Sequence, residues 1–203
     1  VAANVTRAID TGIAGLSIED STGDPAHPLF ERELAIDRMA AARQAIDASG
    51  TGILLVGRSE GFIAGRPDLD DTIARLTAYA RVGADCLYAP GLRSLEHISA
   101  VVQAVAPKPV NVLVSAPFTT VEALAAIGVR RISVGGALAR TAWAGFLAAA
   151  REIATQGTFD SFTRAVPSPE MNALSPSPAQ TMTRTAGFAS SSANTLGTAS
   201  HMS

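Results

Sequence analysis

Short apolar runs alternate with longer amphipathic stretches along most of the chain. The runs are GLSIED (15–20), GILLVGRSE (52–60), ADCLYAP (84–90), PVNVLVS (109–115) and RRISVGG (130–136). Each is rich in Val, Ile or Leu and bounded by Gly or Pro. A short, continuous apolar run between such breakers is the pattern of a strand buried on both faces of a parallel sheet. Between the runs the period lengthens to that of a helix. ERELAIDRMAAARQAIDASG places Leu34, Ile36, Met39, Ala42 and Ile46 on one stripe and closes on Gly50, a residue suited to a left-handed C-cap. DLDDTIARLTAYARVG opens on acidic residues, which favour a helix N-terminus, and closes on Gly83. SLEHISAVVQAVA and TTVEALAAIG follow the same plan, with Ser94 and Thr119 as N-caps. TAWAGFLAAAREIATQG is the last long helix. Strand and helix alternate five times, which predicts βα units on a parallel sheet. A further helical piece, VAANVTRAIDTG, precedes the first strand and ends on Gly12. An α/β domain rarely opens that way, so we expect strands upstream of residue 1.

Composition changes the picture at one place. From Ser175 the chain reads SPSPAQTMTRTAGFASSSANTLGTASHMS, with no sustained apolar period. Such a segment cannot offset its ordering entropy by burial. The expected organisation is one domain over 1–174 and a disordered Ser/Thr/Pro-rich tail over 175–203. Hydrophobic residues make up 47% of the 203 and charged residues 17%, enough to build a core. The net charge of −2 and 5% aromatics argue against nucleic acid as a partner. No apolar run reaches the roughly 18 residues of a membrane span. The single cysteine, Cys86, excludes an internal disulfide framework and reads as a buried packing residue in a reducing, cytoplasmic setting.

In parallel α/β folds the site forms at the carboxyl ends of the strands. There the first run delivers Glu19 and Asp20, the second Arg58 and Glu60, the third Tyr88, the fourth Asn111, and the fifth Ser133 with Gly135-Gly136. Adjacent carboxylates suit a hard divalent cation such as Mg²⁺; they could equally cap the following loop. Arg58 is a fork for a substrate carboxylate; it could instead pair with Glu60 at the sheet rim. Asn111 inside an apolar strand needs a partner, either a ligand or the backbone. Gly135-Gly136 could free N–H groups for an anion or serve as turn chemistry. His27, His97 and His201 are scattered and read as surface residues.

These residues come with longer motifs. AGLSIEDSTGDPAHPLFERELAIDRMAAARQA, GRSEGFIAGRPDLDDTIARLTAYARVGADCLYAPGL, KPVNVLVSAP and RRISVGGALARTAWAGFLAAAREI together resemble the isocitrate lyase/phosphoenolpyruvate mutase superfamily. The branch most similar is the carboxyphosphonoenolpyruvate phosphonomutase-like or 2-methylisocitrate lyase-like one. The resemblance implies a (β/α)8 barrel that binds Mg²⁺ and a 2-oxo acid or enolate, and makes or breaks C–C or P–C bonds. It implies a metal role for Glu19, substrate binding by Arg58 and Asn111, and catalytic roles for Arg58 and Glu60.

Against that pattern, the family's D-x-D-x-G-Y-G metal motif has no counterpart in the sequence. The loop that carries a catalytic Cys in the lyases here reads STGDPAHPLF. Pro90 stands where several members place Glu or His. We therefore expect an incomplete barrel, the last five βα units without the first three strands, with Mg²⁺ binding weak or absent in this chain. The implied partners are a small 2-oxo-acid or phosphonate substrate and further copies of the chain. Two alternatives remain open: a catalytically inactive remnant limited to self-association or partner binding, and a complete doubly wound domain for a phosphorylated ligand. The second lacks a Gly-rich loop after its first strand.

Overall fold

The computed structural model describes residues 1–174; the tail expected over 175–203 lies outside them. Five strands form one parallel sheet: β1 (Gly15–Glu19), β2 (Leu54–Arg58), β3 (Cys86–Tyr88), β4 (Val110–Leu113) and β5 (Arg131–Ser133). All five fall inside the apolar runs. The helices are α1 (Ala2–Ile9), α2 (Arg32–Ser49), α3 (Leu69–Arg81), α4 (Leu95–Val105), α5 (Val121–Ala126), α6 (Ala137–Gln156) and α7 (Ser168–Ala173).

The spatial strand order is β1-β2-β3-β4-β5, the same as the order along the chain. Parallel crossovers are almost always right-handed, so a sheet that never reverses direction carries all its crossover helices on one face. A doubly wound sheet needs a reversal, which creates its ligand crevice. None exists among the described strands, and the doubly wound reading is overturned. The sequential winding is that of a (β/α)8 barrel segment, and α1 through α4 pack side by side along it.

The chain divides into two compact units, Val1–Thr141 and Ala142 onward. In the first unit, alternate strand residues face the helices. Leu55, Leu87, Ala89, Val110 and Val112 meet Met39, Ala42, Ile46, Leu76, Tyr79, Ile98 and Val101 in one buried cluster. On α2 the buried residues are Ala35, Met39, Ala42 and Ile46. Leu34, expected on that stripe, is 49% exposed, because the 35-39-42-46 spacing fits a 3.6-residue turn and 34 lies a step outside it. Gly50 ends α2 in the left-handed conformation (φ 65°) as expected. Asp68, Ser94 and Thr120 cap α3, α4 and α5 by accepting the N–H three residues on. Thr120 therefore replaces Thr119, which lies one residue too early.

Gly57, on the helix side of β2, admits α3 closely. A methyl group there would lie 3.0 Å from the Tyr79 Cβ and 3.2 Å from the Ala84 Cβ. In the second unit the 142–156 part of α6 has no buried residue. The Glu152 carboxylate gathers donors from Thr158, Asp160 and Ser161, fixing the 3₁₀ turn at Asp160–Arg164. Those hydrogen bonds hold its pKa down to about 2.

Candidate functional site

Residues paired directly across a parallel ladder point to the same face. Glu19 pairs with Arg58, Arg58 with Tyr88, Tyr88 with Asn111, and Asn111 with Arg131. Five chemistry-bearing side chains thus form one row on the face opposite the helices. Four of them, Glu19, Arg58, Tyr88 and Asn111, were expected at strand ends from the sequence. Arg131 completes the row, and only the register brings it there.

Arg58 is the centre of the row. Its Nε and Nη2 donate to the two carboxylate oxygens of Glu60, the latter at 3.3 Å, and its Nη1 lies 2.8 Å from Glu19 Oε1. The guanidinium also stands over the Tyr88 ring, 5.1 Å from its centroid, a favourable cation–π placement. Burial pulls against its charge, but the Glu60 hydrogen bond and the charges of Glu60 and Glu19 outweigh burial and push its pKa up. Arg58 is a permanent cation. Burial pushes the Glu60 carboxyl up; the Arg58 guanidinium counters this only in part, and Glu19 and Asp20 add repulsion. The expected Arg58–Glu60 rim pair is therefore present, with Glu60 bound along one edge of the guanidinium and Glu19 on the other.

Asp20 and Glu19 have separate fates. Asp20 is 2% exposed. Its Oδ1 accepts the Glu60 N–H (2.7 Å), and its Oδ2 accepts the Tyr79 hydroxyl (2.8 Å) and Arg75 Nη1 (3.4 Å). Every oxygen is used, so Asp20 takes the loop-holding reading. Glu19 keeps a half-exposed carboxylate.

Asn111 is 1% exposed; its Nδ2 donates to Ser133 Oγ at 3.0 Å, while its Oδ1 has no partner. Cys86, two residues before Tyr88 on the same face, is buried, and burial pushes its thiol pKa up. Gly135 has φ 52° and the turn closes by Ala137 N–H to Val134 O, the turn reading of that pair.

Among the described residues no group of three or more His, Cys, Asp or Glu side chains converges as a metal site. With Asp20 filled by donors and Glu60 spent on Arg58, Glu19 is the one carboxylate of this set with room for a cation. A hard divalent ion takes about six oxygens or more. The donor set present does not fit Mg²⁺ by itself. A cleft of about 910 Å³ opens elsewhere, between the β1–α2 loop and the start of α3. Of its arginines, Arg32 pairs with Asp71 and Arg75 with both Asp71 and Asp20, and Arg66, Glu31, Asp68 and Asp70 also line it. No described helix is long and apolar enough to cross a membrane.

The missed participants, Tyr79 and Arg75, sit on α3, far along the chain from Asp20. A faint signal existed: an aromatic hydroxyl on an apolar helix stripe needs a buried acceptor.

The phosphoenolpyruvate phosphomutase family model matches residues 1–154. A protein from Burkholderia cenocepacia J2315 described as a lyase/mutase is 44% identical. The match covers 88% of this chain and 64% of that one with TM-score 0.82. A protein of the same organism described as a phosphonomutase is 37% identical over 77% of this chain and 63% of that one, TM-score 0.67. Oxaloacetate decarboxylase 2 of Pseudomonas fluorescens (strain Pf0-1) is 33% identical over 101 residues, 47% of this chain and 33% of its own length. The chain thus spans about a third of that curated relative and under two thirds of the solved ones.

Proposed function

The chain belongs to the phosphoenolpyruvate phosphomutase family, and we propose that it carries the anion-binding wall of an enzyme acting on small 2-oxo acids or their enolates, making or breaking a C–C or P–C bond. The observation that carries this reading is Arg58. It is a permanent cation at the carboxyl end of a parallel strand, with Glu60 holding one edge of its fork. A fixed guanidinium stabilises a developing enolate or carboxylate charge without reorganising.

Glu60 leaves the Nη1 side of Arg58 to Glu19, so a substrate carboxylate competes with Glu19 for that position. Asn111, with an unpaired Oδ1, supports the reading as a second polar contact on the same face. Glu19 would lend one carboxylate to a divalent cation, whose remaining donors the described residues do not supply. In this reading the five strands are the later part of an eight-stranded barrel, and the bare edges of β1 and β5 meet further strands. The relatives' names, decarboxylase and phosphonomutase, favour 2-oxo acids and phosphonates as the substrate class.

A second reading, a non-catalytic chain, draws on the same acidic residues. Asp20 and Glu60 are committed to structural partners, which leaves a cation poorly held.

Oxalate mimics an enolate and tests the site directly. In an NMR titration of the 203-residue chain, oxalate should shift the Arg58 Nε–H signal and the backbone N–H signals of Glu19, Glu60 and Tyr88, with affinity on the order of millimolar, about 4 kcal/mol of binding. Arg58→Ala, followed through those backbone signals, should lose that binding. Unchanged affinity in the variant would reject the role given to Arg58 and with it this reading.

A further inference from the structure

We propose that Asp20 is a positioning residue for Arg58, acting through the main chain of Glu60. The proposal rests on the reading of Arg58 as the anion-binding group and extends it to the structure behind that group.

The Asp20 side chain is buried where β1, β2 and α3 meet. Its Oδ1 accepts from the Glu60 N–H at 2.7 Å, and its Oδ2 accepts from the Tyr79 hydroxyl at 2.8 Å and from Arg75 Nη1 at 3.4 Å. Arg75 is tied in turn to the Phe30 carbonyl (2.9 Å) and to Asp71 (2.6 Å). The Asp20 main chain adds two bonds of its own, N–H to the Arg58 carbonyl (3.3 Å) and carbonyl to the Phe30 N–H (2.8 Å).

Glu60 opens a turn closed by Ile63 N–H (3.0 Å) and Ala64 N–H (2.9 Å) to its carbonyl. Its own N–H, which that turn leaves over, goes to Asp20. The carboxylate of Asp20 therefore sets where the Glu60 Cα stands, and the Glu60 carboxylate grips Arg58 along the Nε–Nη2 edge. The Asp20 side chain reaches the row only through the Glu60 main chain; it sets the angle at which the fork is presented. The two oxygens separate the tasks: Oδ1 serves the site and Oδ2 serves α3.

That separation makes the proposal testable in the full chain with three variants. The ligand-free readout is the Arg58 Nε–H signal, whose solvent exchange the Glu60 contact should slow. The ligand readout is oxalate affinity in the same titration. Asp20→Ala removes both tasks and should speed that exchange and weaken oxalate by about 10–100-fold, the usual consequence of losing a supporting group. Asp20→Asn keeps an acceptor for the Glu60 N–H and should restore both readouts to within about threefold of the parent, a rescue well inside that loss. Tyr79→Phe removes only a bond to Oδ2. It should lower the unfolding midpoint and leave both readouts at the parent value.

If Asp20→Ala does not fold, the other two variants decide. Exchange and affinity that stay with the parent while stability falls support the proposal. Readouts that fall in proportion to stability in Tyr79→Phe, or an Asp20→Ala variant that folds and keeps the parent's Arg58 exchange, overturn it. A parent chain that binds no oxalate removes the functional reading alone, because the exchange measurement needs no ligand.

Discussion

Asp71 lies between two arginines, with Arg32 Nη2 at 2.5 Å from one oxygen and Arg75 Nε at 2.6 Å from the other. Burial alone would raise its pKa, but the hydrogen bonds and charges of Arg75 and Arg32 prevail and hold it below the ordinary value. A carboxyl depressed in the folded state contributes stability that is present above its unfolded pKa, about 3.9. That contribution fades as pH falls through the lower folded value. Asp71→Asn should therefore be less stable than the parent near neutrality. It should also lose less on going from about pH 6 to about pH 3, as read from urea midpoints. Parallel pH profiles for the two would show that Asp71 is not the group responsible. This residue also marks a boundary of what the sequence makes legible. Its place in the acidic first turn of α3 was readable from DLDD. Its tie to Arg32 at the start of α2 was not, because an ion pair between residues thirty-nine positions apart leaves no local pattern. The same holds for Asp20. The motif IED announces two carboxylates, and the Glu60 N–H, the Tyr79 hydroxyl and Arg75 decide which one is consumed.

At the scale of elements, Gly57 links packing to the site. It lets α3 approach β2 until Tyr79 lies against the strand with its hydroxyl on Asp20. A methyl group at 3.0 Å from the Tyr79 Cβ forces the helix or the ring to move. Overpacking of this kind costs about 1–3 kcal/mol. Gly57→Ala should lower the unfolding free energy by that amount and raise the solvent exposure of Tyr79, measured by denaturant unfolding and tyrosine fluorescence. An unchanged stability would mean that α3 is not held as closely as the distances say. The elements themselves were legible where periodicity is strong: all five strands lie within their apolar runs, and Gly50, Ser94 and the acidic start of α3 behave as their chemistry predicts. Errors of one residue at Leu34 and Thr119 arise because neighbouring candidates differ little in local preference. Which face of α2 wins, and which threonine caps α5, is settled by contacts that the local sequence does not contain.

At the scale of the whole molecule, alternation of strand and helix indicates βα units, and the unreversed strand order shows which way they wind. The row from Glu19 to Arg131 exists only because that order places β1 through β5 in register; no spacing along the chain encodes it. The second unit poses a different physical problem. In α6, Trp143 is 58% and Phe146 61% exposed, their rings edge-to-face at 5.1 Å, with Leu147 and Ile153 also exposed. Contiguous apolar surface of this kind marks an interaction site more often than a solvated face. Taken with the self-association expected from the family resemblance, a second copy of this chain is the partner we propose for it. Replacing both rings by charge, Trp143→Asp with Phe146→Asp, tests this without touching Arg58 or its supports. Sedimentation velocity should show the parent shifting to larger species as its concentration rises and the double variant staying at the monomer value. The variant should keep the parent's oxalate response at Arg58. If both proteins sediment alike at every concentration, this helix does not serve self-association, and its exposed rings need another occupant.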